Sequence, residues 1–271
     1  MGERGLPWAL ERIPQIEESI DGRRLAFFLD FDGTLAPLAP RPDLARLPAR
    51  TRDVLASAAQ RHLLCVVSGR GLADLREKIG IDSVFYAADH GYRITGPAGS
   101  GIGIEIGGEK RGSMRAAALE LDSRLRSVPG VLVEAKELTL SVHYRLVADT
   151  QRPLVRRTVA EVAGGFPDLR LTEGKLVQEL RPSEAWNKGR AMLWLLERMN
   201  WGQGDVCPLC VGDDLTDEDM FAAAEDWGVS VIVGHPERPT LACYRLRDSG
   251  EAAAFVEALG AAERPGPGPI G

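Results

Sequence analysis

Two aspartates follow a continuous apolar run near the start of the chain. The run at 25–29 leads into Asp30, and Asp32 comes two positions later, followed by Gly33 and Thr34. An uninterrupted apolar run of this length predicts a buried parallel strand. Open α/β folds place their sites at the carboxyl ends of such strands. Because side chains two apart in extended backbone point to the same side, the two carboxylates repel each other unless a hard cation lies between them or one of them is protonated.

Three further groups of polar residues stand at predicted strand or helix ends. Ser68 follows the apolar run 63–67, Lys188 opens a predicted helix, and Asp213 and Asp214 follow a third apolar run. A cation in the first helical turn is disfavoured by the helix dipole, which suggests a functional reason for Lys188. Each also has a purely structural interpretation: Ser68 could belong to a turn, Lys188 could be a solvated helix residue, and Asp213 and Asp214 could cap a helix. Because parallel strands end on one side of a sheet, their order along the chain favours one shared site.

Apolar runs that alternate with amphipathic segments predict an α/β fold with a doubly wound parallel sheet. The predicted strands of this sheet are 25–29, 63–67, 84–88, 209–211 and 229–233. The predicted helices are 7–20, one beginning near residue 47, 72–79, 187–199, one ending at 227, and 251–259. A Gly-rich hairpin is expected around 96–103, and the Pro/Gly tail 265–271 is expected to be disordered.

A second, smaller domain is predicted within the first. Residues 110–184 alternate in polarity, as at 139–144, which is typical of an antiparallel sheet with one open face. Helices are expected at 114–126 and 153–163, and strands at 131–135, 138–144, 169–172 and 176–180. We therefore expect residues 1–109 and 185–271 to form the α/β core and 110–184 to form an inserted α+β domain.

Composition limits the possible partners. The 271 residues are 44% hydrophobic and carry a net charge of −6 without a basic block, which argues against nucleic-acid and anionic-membrane partners. No stretch reaches the apolar length of a membrane span. Charged residues and a proline precede any apolar run, so no secretory signal is expected. We expect a cytoplasmic monomer that acts on a small molecule.

The four cysteines favour a structural interpretation. Cys207 and Cys210 have the spacing of a redox or metal pair, but no second pair accompanies them, and they lead into an apolar strand. Cys65 lies in an apolar run. We expect reduced, inert core thiols, and we expect Pro208 to be tolerated only as the first residue of its strand.

The motifs and their order resemble the haloacid dehalogenase superfamily and, more narrowly, the trehalose-6-phosphate phosphatases. The matching segments are Asp-Phe-Asp-Gly-Thr-Leu-Ala-Pro-Leu (30–38), Ser-Gly-Arg (68–70), His-Gly (90–91), Asn-Lys-Gly (187–189) and Gly-Asp-Asp-Leu-Thr-Asp-Glu-Asp-Met-Phe (212–221). The resemblance covers about residues 25–260. It departs from the family pattern at Asp89, where the family has Glu.

The resemblance implies a haloacid dehalogenase-like core with a substrate-selecting cap, and hydrolysis of trehalose 6-phosphate through an aspartyl phosphate. In that chemistry Asp30 is the nucleophile and Asp32 is the general acid and base. Ser68 and Lys188 stabilise the transferring phosphoryl group, which is mainly an electrostatic task.

The resemblance also implies one Mg²⁺ ion. Its expected ligands are the Asp30 carboxylate, the Asp32 backbone carbonyl and Asp213. Asp214 supports the metal, either directly or through a water. An oxygen-only ligand set suits this hard cation.

Substrate-binding residues are implied in both domains. They are Gly69, Arg70 and His90 in the core, and Glu134, Lys136, Arg145, Lys175 and Glu179 in the insertion. Glu134 and Lys136 are two apart and therefore share one face of a strand. The same spacing argument for Lys175 and Glu179 is weakened by the turn expected at Gly174.

Three other functions are weighed against this one. The first is a phosphatase for another sugar phosphate, such as sucrose phosphate or a mannosylglycerate precursor. The second is a phosphosugar mutase. The third is a non-catalytic sugar-phosphate sensor, which is disfavoured because a sensor need not keep the nucleophile Asp30 and the acid Asp32.

Overall fold

The computed structural model describes residues 5–174, 176–235 and 238–261. The chain divides into two compact units, Met1–Ile104 with Trp186–Gly271 and Glu105–Ala185. We call them the core unit and the inserted unit. The predicted insertion, 110–184, lies within the inserted unit. The predicted disordered tail at 265–271 lies outside the described residues.

The strands and helices follow in chain order. The strands are β1 (Arg24–Leu29), β2 (Leu63–Val67), β3 (Phe85–Ala88), β4 (Arg93–Thr95), β5 (Gly103–Glu105), β6 (Leu132–Ala135), β7 (Leu140–His143), β8 (Leu169–Gly174), β9 (Val177–Pro182), β10 (Val206–Gly212), β11 (Val229–Val233) and β12 (Tyr244–Leu246). The helices are α1 (Ile13–Ile20), α2 (Ala49–Ala59), α3 (Leu72–Ile79), α4 (Arg111–Leu125), α5 (Arg152–Gly164), α6 (Lys188–Arg198), α7 (Glu218–Ala224) and α8 (Ser249–Gly260).

The core unit is built on an eight-stranded sheet in the order β12-β11-β10-β1-β2-β3-β4-β5. Strands β12 through β3 pair in parallel, and β4 pairs antiparallel with β3. The chain runs outward from β1 to β3 and later outward from β10 to β12, so the two directions of winding meet between β1 and β10. The predicted α/β fold and its doubly wound sheet are confirmed. Ligands of such sheets bind where the strand order reverses.

Strand β1 is apolar throughout because both of its faces are covered. Leu25, Phe27 and Leu29 pack into one hydrophobic cluster, and Ala26 and Phe28 pack into the cluster on the opposite face of the sheet. All five side chains are fully buried. This central position fixes the point at which the chain leaves the sheet at Asp30.

The inserted unit contains a four-stranded antiparallel sheet in the order β6-β7-β9-β8. Leu140, Val142 and Leu180 point to one face and pack in a cluster with apolar residues of α4 and α5. On the other face, Ser141 pairs with Glu134 on one side and Glu179 on the other. The predicted antiparallel sheet with alternating faces is confirmed.

Three local expectations differ from the structure. Strand β12 is missing from the prediction, since it has only three residues and lies at the edge of the sheet beside β11. Helix α7 ends at Ala224, before the predicted Trp227. Pro208 lies inside β10 rather than at its start. The Val211 carbonyl accepts from the Asp30 N–H, so the backbone groups of odd-numbered residues in β10 point towards β1. The backbone of Pro208 therefore points towards β11. Pairing with β11 begins only at Leu209, so the missing N–H of the proline lies before the paired segment.

The predicted core position holds for three of the four cysteines. Cys65, Cys207 and Cys210 are buried, whereas Cys243 is exposed. Burial raises the pKa of the Cys65 and Cys210 thiols, which keeps them protonated and unreactive. In the ranges that the structure describes, no helix is both long and apolar enough to cross a membrane.

Candidate active site

Asp30 is held where β1 ends. Its backbone N–H donates to the Val211 carbonyl at 2.9 Å, and the residue is 6% exposed. The following turn requires glycine, because Gly33 has a φ of +87° and a Cβ there would come within 2.1 Å of Asp213 Oδ2. This close approach brings the turn after β1 against the turn after β10. The two acidic motifs of the sequence therefore meet.

Lys188 joins this group from the first turn of α6. The Asn187 side chain caps the helix by accepting from the Arg190 N–H at 2.9 Å, as predicted. Lys188 is 2% exposed, and its Nζ lies 2.6 Å from Asp30 Oδ1 and 2.7 Å from Asp217 Oδ1. Burial alone would lower the pKa of Lys188, but Asp217 and Asp30 raise it above its ordinary value. The ammonium therefore stays charged despite its burial.

Asp217 is the site residue that sequence reasoning missed. It is fully buried, and its Oδ2 accepts the N–H groups of Asp213 and Asp214, each at 3.0 Å. Its Oδ1 accepts from Lys188. A capping box with Asp214 fixes the turn, so the spacing of these two acids was the signal that could have identified it. Asp217 thus shapes the acidic turn and orients Lys188.

Three carboxylates gather around this lysine. Oxygens of Asp30, Asp213 and Asp217 lie within 4.8 Å of one another. Burial raises the pKa of Asp30 and of Asp213, and the neighbouring carboxylates raise both further. If all three carboxylates are ionised, they and the one ammonium carry two net negative charges in a buried space. A hard divalent cation with oxygen ligands fits this donor set and would relieve the repulsion.

The Asp32 and Asp214 side chains lie outside this carboxylate cluster. Asp214 faces Arg238, whose Nη2 lies 3.5 Å from Asp214 Oδ1. Asp32 accepts from Arg70 at both oxygens, each at 2.7 Å. Asp217, which the sequence prediction did not include, completes the carboxylate cluster, and support of a metal by Asp214 stays a prediction.

Arg70 has different partners from those expected of a substrate-binding residue. Besides Asp32, it donates to Asp74 Oδ2 at 2.6 Å and to the Pro42 carbonyl at 2.7 Å. It is 5% exposed, and its guanidinium lies 5.2 Å from the centre of the Phe31 ring. These contacts hold Arg70 within the protein.

Ser68, Gly69 and His90 are locked together at the ends of β2 and β3. The Ser68 N–H donates to the Ala87 carbonyl, and the His90 N–H donates to the Ser68 carbonyl at 2.8 Å. A Cβ on Gly69 would come within 2.5 Å of His90 Nε2, so only glycine allows this approach. Asp89 and His90 have φ values of 50° and 57°. Two consecutive non-glycine residues in this region are costly, and such strain concentrates at functional sites.

The candidate cap residues lie mostly on the polar face of the inserted unit's sheet. His143 Nε2 lies 2.8 Å from Glu134 Oε2. Lys136 donates to Ser141 Oγ at 2.9 Å, and Ser141 donates to Glu179 Oε1 at 2.7 Å. This face can offer carboxylates and an ammonium to a polar ligand, while the buried Ser141 hydroxyl links Lys136 to Glu179.

Arg145 is exposed and follows β7 outside the network, and Lys175 lies outside the described residues. Sequence reasoning missed Ser141, His143 and Arg181; Arg181 donates to Glu179 Oε2 at 2.5 Å. The alternation of polar residues along β7 and β9 was the signal for them.

Comparison with known proteins yields one family. The model of the trehalose-phosphatase family matches residues 28–249. A trehalose-phosphate phosphatase of Mycobacterium avium is 37% identical over 263 residues, which is 94% of this chain and 66% of the relative. An uncharacterized glycosyl hydrolase of Mycobacterium tuberculosis is also 37% identical, but the match spans only 20% of it. The chain therefore spans less than two thirds of the curated relatives that it matches.

Solved structures agree on the fold. The C-terminal domain of a Candida albicans trehalose-6-phosphate phosphatase superposes with a TM-score of 0.75 at 22% identity, covering 94% of this chain and 99% of that one. A trehalose-6-phosphate phosphatase related protein gives a TM-score of 0.73 at 24% identity, covering 87% and 96%. A haloacid dehalogenase-like hydrolase from Bacteroides thetaiotaomicron gives 0.62 at 16% identity, covering 88% and 99%.

Proposed function

Because the chain belongs to the trehalose-phosphatase family, we propose that it hydrolyses trehalose 6-phosphate to trehalose and inorganic phosphate. The observation that carries the proposal is the buried Asp30 at the switch point of the sheet, bonded to Lys188 and grouped with Asp213 and Asp217. A carboxylate in this setting can serve as a nucleophile only if its charge is balanced when an anionic substrate arrives.

The proposed reaction has two displacements. The Asp30 carboxylate attacks phosphorus, the bond to the sugar oxygen breaks, and Asp32 gives that oxygen a proton. Water then attacks the phosphorus of the aspartyl phosphate and gives its proton to Asp32, which releases phosphate and restores Asp30. Lys188 holds Oδ1 of Asp30 at 2.6 Å, so Oδ2 is the attacking atom in this proposal.

Ser68 and Lys188 stabilise the transferring phosphoryl group. The Ser68 oxygen accepts from the Arg70 backbone N–H at 3.2 Å, which leaves the hydroxyl hydrogen to donate to a phosphate oxygen. The Lys188 ammonium supplies a fixed positive charge beside the nucleophile. Such pre-oriented groups act on charge as it redistributes in the transition state.

Mg²⁺ is the proposed cofactor. Asp30, Asp213 and Asp217 would hold it, with the Asp32 carbonyl as a further ligand and Asp214 in support. When bound, the ion supplies the positive charge that lets a carboxylate approach a phosphate dianion.

Chelation is expected to abolish turnover. Exhaustive EDTA treatment should remove phosphate release, added Mg²⁺ should restore it, and Ca²⁺ should inhibit, because Ca²⁺ takes more ligands in looser geometry. Added Mg²⁺ should also raise the midpoint of thermal unfolding, since it screens the three carboxylates. Full activity after chelation would refute the metal assignment.

The polar face of the inserted unit is proposed to select the sugar. The core groups can all be assigned to phosphate and metal, and the face around Glu134, Lys136 and Glu179 offers the donors and acceptors that sugar hydroxyls require. Arg145 and Lys175 remain proposed contributors, as do Gly69 and His90 in the core.

Glu134→Ala should lower kcat/KM for trehalose 6-phosphate by about tenfold or more, because a charged hydrogen bond to a hydroxyl is worth about 1.5–3 kcal/mol. Hydrolysis of a small aryl phosphate should change little, since that substrate has no sugar to hold. Glu161→Ala on α5, which is exposed and outside this face, is the matched control. A parallel fall in both activities would show that Glu134 supports the fold instead.

A panel of sugar phosphates tests the proposed function. Phosphate release should be fastest, by kcat/KM, on trehalose 6-phosphate. A higher value on sucrose phosphate or on a mannosylglycerate precursor would change the substrate but keep the phosphatase, while an isomeric sugar phosphate as product would indicate a mutase. Binding without any phosphate release would favour the sensor. A cytoplasmic location and a monomeric state complete the proposal, and light scattering after gel filtration checks the latter.

A further inference from the structure

The guanidinium of Arg70 is almost fully used by the protein. Four of the five N–H donors of an arginine are accounted for: two on Asp32, one on Asp74 and one on the Pro42 carbonyl. The side chain is 6% exposed. An arginine that binds phosphate presents its planar fork to the ligand, whereas this fork is occupied by Asp32.

The backbone around Asp32 is already rigid. The Gly33 N–H donates to the Ala36 carbonyl at 2.8 Å, and the Ala36 N–H donates to the Phe31 carbonyl at 2.9 Å. What remains free is rotation of the Asp32 side chain. The pair of bonds from Arg70 removes that freedom, because a bidentate arginine fixes both the position and the plane of a carboxylate.

The arrangement leaves Asp32 able to react. A carboxylate has about four lone-pair sites, and the pair with Arg70 uses one on each oxygen. The Asp32 side chain is 36% exposed, so its remaining sites are accessible. Arg70 also holds the loop that follows the Asp30 motif, through its hydrogen bond to the Pro42 carbonyl. Lys78 holds the same loop by donating to the Ala45 carbonyl at 3.2 Å.

We propose that Arg70 is a positioning residue that fixes the orientation of the Asp32 carboxylate and does not contact the substrate. The proposal rests on the proposed function, because the orientation matters only if Asp32 transfers the proton to the leaving oxygen. Its effect on the first displacement therefore depends on the leaving group. A sugar alkoxide needs that proton, and a nitrophenolate leaves without it.

Arg70→Met is the first test. We expect kcat for trehalose 6-phosphate to fall by about 10²-fold, the lower end of the range for general acid catalysis, with KM changed less than about threefold. For 4-nitrophenyl phosphate, the single-turnover rate of nitrophenolate release should change by less than about threefold, whereas the second displacement, in which Asp32 takes the proton of water, should slow for both substrates. Arg52→Met is the matched control: this arginine is also held by the protein, since it donates to the carbonyls of Lys78 and Ile79, but it lies outside the site, and both activities should be retained.

A double-mutant cycle is the second test. Asp32→Asn and Arg70→Met together should be no slower on trehalose 6-phosphate than Asp32→Asn alone, because Arg70 acts through Asp32. The inhibition constant of inorganic phosphate should be the same in wild type and Arg70→Met. The melting temperature of each variant is measured as well, to distinguish a loss of stability from a change in the orientation of the Asp32 carboxylate.

Three outcomes overturn the inference. A rise in KM for both substrates, with weaker phosphate inhibition, makes Arg70 a substrate-binding residue. An equal fall in the single-turnover rate of the first displacement on both substrates, with or without a lowered melting temperature, shows that Arg70 does not act through the proton given to the leaving oxygen. If the losses in kcat from Asp32→Asn and Arg70→Met are additive in the double mutant, Arg70 does not act through Asp32. A wild-type protein that releases no phosphate from any sugar phosphate removes the proposed function itself, which is a distinct result.

Discussion

Asp30→Asn is expected to abolish phosphate release while the fold is retained. Asparagine keeps the shape of the side chain and an oxygen that can accept from Lys188, but its amide cannot attack phosphorus. Loss of a nucleophile can cost about 10⁶ in kcat, so we expect a fall of roughly 10⁴-fold or more. The buried cluster loses one of three mutually repelling carboxylates, so the free energy of unfolding should not fall.

Phosphate release and thermal unfolding should be measured on the same preparation. Asp43→Asn, an exposed aspartate paired with Arg41, is the control and should behave as wild type in both. Near-normal turnover by Asp30→Asn would contradict the two-step mechanism.

Lys188→Met is expected to lose both activity and stability. Methionine fills most of the lysine volume but leaves Asp30 and Asp217 without their ammonium partner. Breaking a buried ion pair at one partner costs about 3–5 kcal/mol of unfolding free energy, because an uncompensated charge remains. Denaturant unfolding measures this loss, and phosphate release should fall with it, since the fixed charge beside the nucleophile is gone.

Two comparisons interpret the result. Arg190→Met removes an exposed cation from the same turn of α6 and should change stability by less than about 0.5 kcal/mol. Adding Asp217→Asn to Lys188→Met should recover part of the stability, because the unpaired carboxylate is the main cost. If Lys188→Met alone is as stable as wild type, the buried lysine does not balance the acidic cluster.

Strands of the core sheet could be predicted where the local sequence alone has the apolar pattern of a buried strand. The run at β1 predicted a central strand because both of its faces are covered, so no polar residue interrupts it. Strand β12 could not be predicted in the same way. It has three residues, and its Arg245 N–H donates to the Pro7 carbonyl from the opposite end of the chain. Its existence depends on a partner that no local pattern specifies.

In the site, too, local sequence predicted some residues, whereas contacts between residues distant in the chain could not be predicted. Asp30 and Lys188 could be predicted from strand and helix ends, and the structure brings them to 2.6 Å. The pairing of Arg70 with Asp32 spans 38 residues and cannot be inferred from either motif alone. Asp217 was missed because its role depends on the turn that lets its carboxylate accept from the backbone N–H of Asp213.

The stereochemical course at phosphorus tests the central claim most directly. Trehalose 6-phosphate carrying a phosphorus made chiral by sulfur and oxygen isotopes is hydrolysed in labelled water, and the configuration of the released thiophosphate is determined. Each in-line displacement inverts phosphorus, so attack by Asp30 followed by attack of water predicts net retention. Net inversion would mean that water attacks the substrate directly, and it would contradict Asp30 as the nucleophile.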